Sequence, residues 1–290
     1  MLSYQLVNTE QNRASRPPLL VLVHGLLGCG NDWQSVHEAL PSYPTLLVDL
    51  PGHGKSVMQS CSSLQDAAMR LYQTIESVYQ PLAQRQQVNG VVLIGYSLGA
   101  RIVLNGLASQ QACALSTSLP IIGAIVEGAH TGLANAELRC ARWRHDQGWA
   151  RRFQQEPIAQ VLADWYQQPV FSSLNHAQRQ TVIAQRSANL GSTVAQMLLA
   201  TSLATQPNLI GLLQQTRIPI ACISGASDVK FTALVQRNQS VANNYCISSS
   251  VVDHAGHNVH QAQPKAFSQI VHQHITQFVA RVAASSEVGV

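Results

Sequence analysis

The stretch VVLIGYSLGAR, residues 91–101, decides the fold of this chain. An apolar run ends in GYSLG and passes directly into a helical pattern. This order predicts a strand, a sharp turn and a helix, with the turn holding the Ser97 hydroxyl clear of the backbone. Glycines stand at 95 and 99 because a strained turn packed against a neighbouring strand leaves no room for Cβ atoms there. The motif makes Ser97 the leading candidate for the reactive centre.

Short apolar runs alternate with helical patterns on both sides of this motif. The alternation predicts an α/β fold, a mostly parallel sheet flanked by helices. Such sheets gather their reactive groups in loops beyond the carboxyl ends of the strands. The predicted strands are residues 19–23, 45–48, 91–94, 121–126, 218–223 and 249–252, and the predicted crossover helices are 33–40, 64–79, 98–108 and 267–280.

One long segment interrupts the alternation. Residues 131–206 contain no convincing strand, only polar and aromatic helical patterns such as AELRCARWRHDQGWARRFQ. Because this segment is too long for a connecting loop, we predict a helical lid inserted into a core of residues 1–130 and 207–290. A lid covers a pocket, so residues on its inner face become candidates for substrate binding.

A serine hydroxyl needs a histidine to accept its proton, and the histidine needs a carboxylate to fix its tautomer. In the order serine, acid, histidine, the acid follows a late strand and the histidine lies in the next loop. Asp228 in ISGASDVKF and His257 in VVDHAGHNVH occupy these places. Asp253 and His254 are the alternatives, but Asp253 ends the strand that leads into the histidine's own loop.

Two backbone N–H groups should stabilise a developing oxyanion. One belongs to Leu98, directly after the candidate nucleophile, and the other to Leu26 in the loop HGLLG that follows an early strand. His24 opens this loop with no metal-ligand partner nearby, so we expect it to shape the loop through a hydrogen bond. The segment DLPGHGKS, residues 49–56, is interpreted as a turn, because its glycines lack the spacing of a phosphate loop.

The composition allows an enzyme of this kind without requiring one. A net charge of +4 and a charged fraction of 11% indicate neither a nucleic-acid groove nor a membrane anchor. The apolar runs are too short to span a membrane and no signal peptide is recognisable, so we expect a cytoplasmic protein. Six scattered cysteines lack metal-ligand spacing, so no metal is expected. Fifteen of the 18 basic residues are arginines, which suit the binding of carboxylates.

Several stretches together resemble a known family. VLVHG, VDLPGHGKS, GYSLGAR, SGASDVKF and AGHNVH, in this order, resemble the α/β-hydrolases. VEGAHTGL, DWYQQPVF and the RSAN of AQRSAN are more particular, and with GYSLGAR they resemble the 2-succinyl-6-hydroxy-2,4-cyclohexadiene-1-carboxylate synthases of menaquinone biosynthesis. The resemblance covers nearly the whole chain, including the predicted lid.

The resemblance implies a lyase on a hydrolase scaffold. Such an enzyme removes pyruvate from 2-succinyl-5-enolpyruvyl-6-hydroxy-3-cyclohexene-1-carboxylate by abstracting a ring proton, without a cofactor. Ser97, with His257 and Asp228, would then relay the proton. The resemblance also implies a set of substrate-binding residues: Arg101, Arg142, Arg186, Tyr96 and Trp165.

Several alternatives remain open at this stage. Arg139 and Arg144 flank Arg142 and could take its place. The chain could instead be a serine hydrolase, either a carboxylesterase or a C–C bond hydrolase, or a non-catalytic binding protein on the same fold. The expected partner is a small polycarboxylate, and the expected assembly is a monomer or a weak homo-oligomer.

Overall fold

The computed structural model describes residues 1–9, 16–111, 119–241 and 246–287. Within these ranges the strands form a single seven-stranded sheet in the order β1-β3-β2-β4-β5-β6-β7. β1 is antiparallel to β3, and all other neighbouring strands are parallel. The strands are β1 (Tyr4–Val7), β2 (Leu19–Val23), β3 (Thr45–Val48), β4 (Val91–Tyr96), β5 (Ile121–Glu127), β6 (Ile220–Gly225) and β7 (Ile247–Val252).

Helices cover both faces of the sheet. Because successive strand residues point to opposite faces, Leu19 and Val21 pack on the α2–α3 side, whereas Leu20 packs with Trp33 and Phe267 on the α1–α11 side. The helices are α1 (Gln34–Glu38), α2 (Leu64–Gln84), α3 (Leu98–Gln111), α4 (Ala136–Gln155), α5 (Ile158–Trp165), α6 (His176–Arg186), α7 (Gly191–Ala200), α8 (Ile210–Gln215), α9 (Val229–Val241), α10 (Val259–Ala262) and α11 (Pro264–Glu287). Short 3-10 helices lie at Gly30–Trp33, Gly54–Ser56 and Pro169–Phe171.

The predicted α/β architecture is confirmed, with differences at its edges. All six predicted strands form, although β6 begins and ends two residues later than predicted and β7 begins two residues earlier. Strand β1 was not predicted because YQLV is a short, partly exposed edge strand without a buried face. Helix α9 was also not predicted, since no strong apolar period marks VKFTALVQRNQSV.

The helices α4 to α7 lie between β5 and β6, inside the segment predicted as a lid. They share a separate apolar cluster that includes Phe153, Leu162 and Val194. Leu27, from the loop after β2, is buried in the same cluster. The helical segment is therefore packed directly onto the loop that carries a predicted oxyanion donor.

In the part of the chain that the structure describes, no helix has the length and apolar character needed to cross a membrane.

Candidate active site

Ser97 lies in a strained turn between β4 and α3. Its φ of 50° is in the left-handed region, which costs on the order of 1–3 kcal/mol for a non-glycine residue. A Cβ on Gly95 would lie 2.7 Å from the amide nitrogen of Ala100, and one on Gly99 would overlap the carbonyl oxygen of Val23. Both glycines are thus required by close backbone packing, as the sequence predicted.

The structure brings Ser97, His257 and Asp228 into one hydrogen-bonded chain. His257 Nε2 is 3.2 Å from Ser97 Oγ, and His257 Nδ1 is 2.7 Å from Asp228 Oδ2. The other carboxylate oxygen of Asp228 accepts a 3.3 Å hydrogen bond from the Phe231 amide in the first turn of α9. With Nδ1–H donated to the carboxylate, Nε2 can accept the serine proton, which is the arrangement of a nucleophile or base relay.

The alternative acid and histidine lie elsewhere. Asp253 and His254 are both exposed in the turn that follows β7, whereas His257 and Asp228 are buried. His254 also adopts a φ of 56°, typical of a turn residue. The geometry therefore favours the predicted pair over its rivals.

Two glycines make room for the His257 loop. Gly128, directly after β5, has a φ of 60°, and a Cβ there would lie 2.6 Å from His257 Cε1. A Cβ on Gly256 would overlap the Ser173 side chain, which belongs to the segment after the 3-10 helix Pro169–Phe171. The loop after β5 and the segment before α6 therefore both pack closely against the loop that carries His257.

The Leu26 and Leu98 amides are available for an oxyanion. Within the described residues neither N–H donates a hydrogen bond to the protein. The carbonyl oxygen of Gly25 accepts hydrogen bonds from His24 Nδ1, at 2.7 Å, and from the Gly28 amide, at 3.1 Å. Because a trans peptide directs its N–H opposite to its C=O, these two bonds fix the direction of the Leu26 N–H. His24 thus has the structural role that the sequence predicted.

A second histidine stabilises the same loop. His53 Nε2 accepts a 3.0 Å hydrogen bond from the Leu27 amide, while its Nδ1 lies 2.9 Å from the Pro51 carbonyl oxygen. Burial, followed by the effect of His24, lowers the pKa of His53 to about 3, so the ring is neutral near pH 7. Asn189 donates to the Leu27 carbonyl oxygen at 3.0 Å. The turn DLPGHGKS therefore supports the oxyanion loop, a role that its sequence did not reveal.

Arg101 lies one helical turn after Ser97, and its amide donates to the Ser97 carbonyl oxygen at 3.0 Å. Its guanidinium donates to Gln206 Oε1 at 2.5 Å and to the Thr201 carbonyl oxygen at 2.6 Å. Among the described residues no carboxylate forms an ion pair with it. Burial, and then the charge of Arg142, lower the pKa of Arg101 from its usual value. Arg101 is therefore a largely desolvated cation with no direct ion pair, and the charge of the nearby Asp146, which is paired with Arg142, offsets the lowering of its pKa only in part.

Arg142 extends from α4 and is paired through Nε with the buried Asp146, at 2.7 Å. Its two rivals differ in environment: Arg139 donates to three backbone carbonyl oxygens, and Arg144 is exposed.

Burial and the nearby cations Lys230 and Arg101 lower the pKa of His130 to about 4. The positive charges of Lys230, Arg101 and Arg142 therefore all act on His130.

Arg186 forms a bidentate ion pair with Asp32, with Nη1–Oδ1 and Nη2–Oδ2 distances of 2.7 and 2.8 Å. Both side chains are nearly buried. Burial alone would lower the pKa of Arg186, but the charge and hydrogen bonds of Asp32 raise it above its ordinary value. The pair joins the end of α6 to the 3-10 helix Gly30–Trp33, and it uses one N–H group of each terminal nitrogen of this arginine.

The two predicted pocket aromatics have different surroundings. Tyr96 is buried, its ring centroid lies 5.3 Å from that of His257, and its hydroxyl hydrogen-bonds Asn258 Oδ1. Trp165 is partly buried and packs against Trp149 and Phe153, with ring centroids at 5.0 and 5.4 Å. Tyr96 therefore contacts the triad histidine directly, whereas Trp165 belongs to the aromatic cluster of the helical segment.

A groove of 780 Å³ opens beside His257, between α6 and the segment 29–35. Its lining includes His257, Arg186 and Asp32, but neither Ser97 nor Arg101. This volume is in the range of small-molecule sites. Across the described ranges, no cluster of three or more histidine, cysteine or acidic side chains is arranged to hold a metal ion.

One buried pair behind the site was not anticipated from the sequence. Glu127, at the end of β5, accepts hydrogen bonds from the amides of Val259 and His260 and lies 2.7 Å from His260 Nδ1. Its carboxylate thereby holds the start of α10, two residues after His257. Glutamate at the end of a parallel strand was a usable signal, because such strand ends face the site.

Comparison with known proteins gives a consistent result. The chain matches the model of the alpha/beta hydrolase family over residues 20–270. Relatives described as 2-succinyl-6-hydroxy-2,4-cyclohexadiene-1-carboxylate synthase occur in Serratia proteamaculans, with 41% identity over 89% of this chain and 93% of the relative. In Klebsiella pneumoniae the identity is 42%, over 86% of this chain and 90% of the relative.

The solved structures share the fold. MenH from S. aureus has a TM-score of 0.82 with 20% identity, covering 96% of this chain and 99% of that protein. A thermophilic esterase from Thermogutta terrifontis has a TM-score of 0.70 with 17% identity, covering 96% of this chain and 93% of that esterase.

Proposed function

The chain belongs to the 2-succinyl-6-hydroxy-2,4-cyclohexadiene-1-carboxylate synthase family of the alpha/beta hydrolases, and we propose that it is the lyase of menaquinone biosynthesis that this membership implies. Its substrate would be 2-succinyl-5-enolpyruvyl-6-hydroxy-3-cyclohexene-1-carboxylate, which carries three carboxylates, and its products would be the cyclohexadiene and pyruvate. The reaction needs no cofactor, because proton abstraction and loss of an enolate are within the reach of side chains and backbone amides.

In the proposed mechanism Ser97 and His257 act as a proton relay. The serine proton passes to His257 Nε2 as Ser97 Oγ takes the ring proton. The electron pair of the broken C–H bond enters the conjugated ring system, and the C–O bond to the enolpyruvyl group breaks. The leaving oxygen keeps the bonding pair, and the enolate becomes pyruvate on protonation. Asp228 stabilises the imidazolium that His257 becomes.

Negative charge that develops on the substrate would be stabilised by the Leu26 and Leu98 amides. Both N–H groups lack protein acceptors in the described ranges, and Leu98 begins helix α3, whose dipole also favours an anion. The hydrogen bonds to Gly25 hold the first donor in place before substrate arrives, so little reorganisation is needed during the reaction.

The observation that carries this proposal is Arg101, one helical turn after Ser97, whose largely desolvated guanidinium forms no direct ion pair with a carboxylate of the described residues. An esterase acting on neutral esters gains nothing from burying an unpaired guanidinium, whereas a tricarboxylate substrate supplies its missing counter-ion. Arg142, which uses Nε for Asp146, would present its remaining donors to a second carboxylate. Arg186, which lines the groove beside His257, would use the donors that Asp32 leaves free to bind a third carboxylate.

We propose minor roles for the aromatic residues. Tyr96 would line the pocket beside His257, and Trp165 would stabilise the inner face of the lid, residues 131–206, over the core. The site is proposed to work in the cytoplasm, in a monomer or a weak homo-oligomer, which size-exclusion chromatography at several protein concentrations would test.

The experiment compares wild type with Arg101→Met, which keeps an unbranched apolar stem and removes the charge. Loss of a charged hydrogen bond costs about 1.5–3 kcal/mol, so KM for the enolpyruvyl substrate should rise roughly 10- to 150-fold. Turnover of p-nitrophenyl acetate should be slow in both proteins. Efficient ester hydrolysis with a trapped acyl-serine, insensitive to Arg101→Met, would instead establish a serine hydrolase.

A further inference from the structure

The loop between α7 and α8 contacts two arginines, Arg101 and Arg139, and orients a third, Arg142, through Asp146. The Thr201 carbonyl oxygen accepts from Arg101, and the Ser202 hydroxyl donates to Asp146 Oδ2 at 2.6 Å, which in turn orients Arg142. The carbonyl oxygens of Ala204 and Gln206 both accept from Arg139. In this loop, residues 201–209, the side chains are buried except those of Thr205, Pro207 and Asn208.

Gln206 is the central side chain of this loop. It is fully buried, and both ends of its amide are used: Oε1 accepts from Arg101 Nε at 2.5 Å, and Nε2 donates to the His130 carbonyl oxygen at 2.7 Å. His130 follows Gly128, the residue whose missing side chain admits the His257 ring. Gln206 thus joins Arg101 to the segment beneath the triad histidine.

The choice of an amide at this position has an electrostatic consequence. A carboxylate would be nearly the same size and would pair strongly with Arg101, which is how Asp32 holds Arg186 in the same protein. It would also neutralise the guanidinium and could not donate to His130. The amide orients Arg101 as precisely as a carboxylate would, yet it leaves the positive charge available to a ligand.

We propose that Gln206 is a positioning residue that determines specificity, an inference that rests on the proposed function. It orients Arg101 through a neutral acceptor and so keeps this site selective for carboxylate substrates. Arg101 is the group that touches the substrate, and Gln206 acts through it. The lowered pKa of Arg101 agrees with this arrangement, because a carboxylate partner would raise it.

The test compares the KM and kcat of wild type, Gln206→Glu and Gln206→Met with the enolpyruvyl substrate. Gln206→Glu neutralises Arg101, so KM should rise roughly 10- to 100-fold with a smaller change in kcat. Gln206→Met removes the orienting hydrogen bonds but adds no charge, and its KM should rise less. The control Gln147→Glu adds the same charge at an exposed position of α4 and should leave KM within about twofold of wild type.

Thermal melting separates this role from a merely structural one. Since Gln206→Glu can still accept from Arg101, it should melt no lower than Gln206→Met while binding substrate more weakly. Equal increases of KM in the two variants would overturn the inference, because lost geometry rather than added charge would then be responsible. If Gln206→Glu fails to fold, a KM for Gln206→Met as high as that of Arg101→Met would overturn it in the same way.

The two proposals can fail separately. A raised KM in Arg101→Met together with a normal KM in Gln206→Glu would reject only the role of Gln206. A normal KM in Arg101→Met would reject Arg101 as a substrate ligand, and the inference would fall with it.

Discussion

The ion pair between Asp32 and Arg186 gives a quantitative prediction for how strongly the helical segment α4–α7 is held on the core. Its two oxygen–nitrogen contacts, at 2.7 and 2.8 Å, join α6 to the loop that follows β2. The side chains are only 12% exposed for Asp32 and 9% exposed for Arg186, so water screens the pair little. Asp32→Asn keeps the shape of the side chain but leaves Arg186 as a buried charge without compensation. Removal of one partner from such a pair costs about 3–5 kcal/mol.

This cost converts into a measurable change in melting temperature. At about 2.1 cal/mol/K per residue, a chain of this length unfolds with an entropy of about 0.6 kcal/mol/K, so Tm should fall by about 5–8 °C. Circular dichroism melts of wild type and Asp32→Asn at pH 7 provide the measurement. Arg186→Met should cost a similar amount, because it leaves the carboxylate unpaired.

A double-mutant cycle separates the pair from its surroundings. The double variant Asp32→Asn/Arg186→Met contains no unpaired buried charge, so its Tm should lie well above the value expected from adding the two single losses. Simple additivity, or a Tm for Asp32→Asn within about 1 °C of wild type, would refute the reasoning. The single variant also tests Arg186 as a ligand, because the freed guanidinium should lower KM if it binds a substrate carboxylate.

Three further predictions concern His53, Gly99 in the turn after Ser97, and Asp228 of the triad. The pKa of His53 is about 3 in the folded protein and 6.5 in the unfolded chain, so between these values the unfolded chain binds one more proton. This group therefore lowers the free energy of unfolding by about 1.4 kcal/mol for each pH unit of acidification. Urea denaturation at pH 7 and pH 5 should show a smaller loss of unfolding free energy in His53→Asn than in wild type. Gly99→Ala should lower expression or Tm severely, because a Cβ there meets rigid backbone. The control Gly148→Ala, where a Cβ has open space, should be neutral or stabilising by up to about 1 kcal/mol in circular dichroism melts. Asp228→Asn should reduce kcat at least about 100-fold with little change in KM, and a kcat near that of wild type in steady-state assays would remove Asp228 from the relay.

The core of the fold could be predicted from the sequence because buried parallel strands carry a strong local signal. The predicted limits of β2 and β3 agree with the structure, since LLVLV and TLLV are almost entirely apolar, fully buried and preceded by proline. Helix α11 runs to Glu287, beyond the predicted end at Ala280. The sequence did not predict this extension because residues 281–285 are exposed and carry no apolar stripe. Strand β1 depends on pairing with β3, which no local pattern in YQLV could indicate.

The candidate site was predictable only in part. Ser97, Asp228 and His257 follow from motif order, because each stands at the end of a strand and the sheet topology brings those ends together. The partners of the arginines could not be predicted in this way. Asp32 meets Arg186 across 154 positions of sequence, and Gln206 meets Arg101 across 105. Such contacts depend on how the helical segment docks on the core, which periodicity does not encode.

Pyruvate release tests the central claim most directly. The purified protein and its Ser97→Ala variant would each be mixed with freshly prepared enolpyruvyl substrate, and pyruvate would be followed through a coupled dehydrogenase at pH 7.5. The account predicts fast release by wild type and, for Ser97→Ala, release close to the uncatalysed background at an unchanged Tm. Release by wild type no faster than background, or full activity in Ser97→Ala, would contradict it.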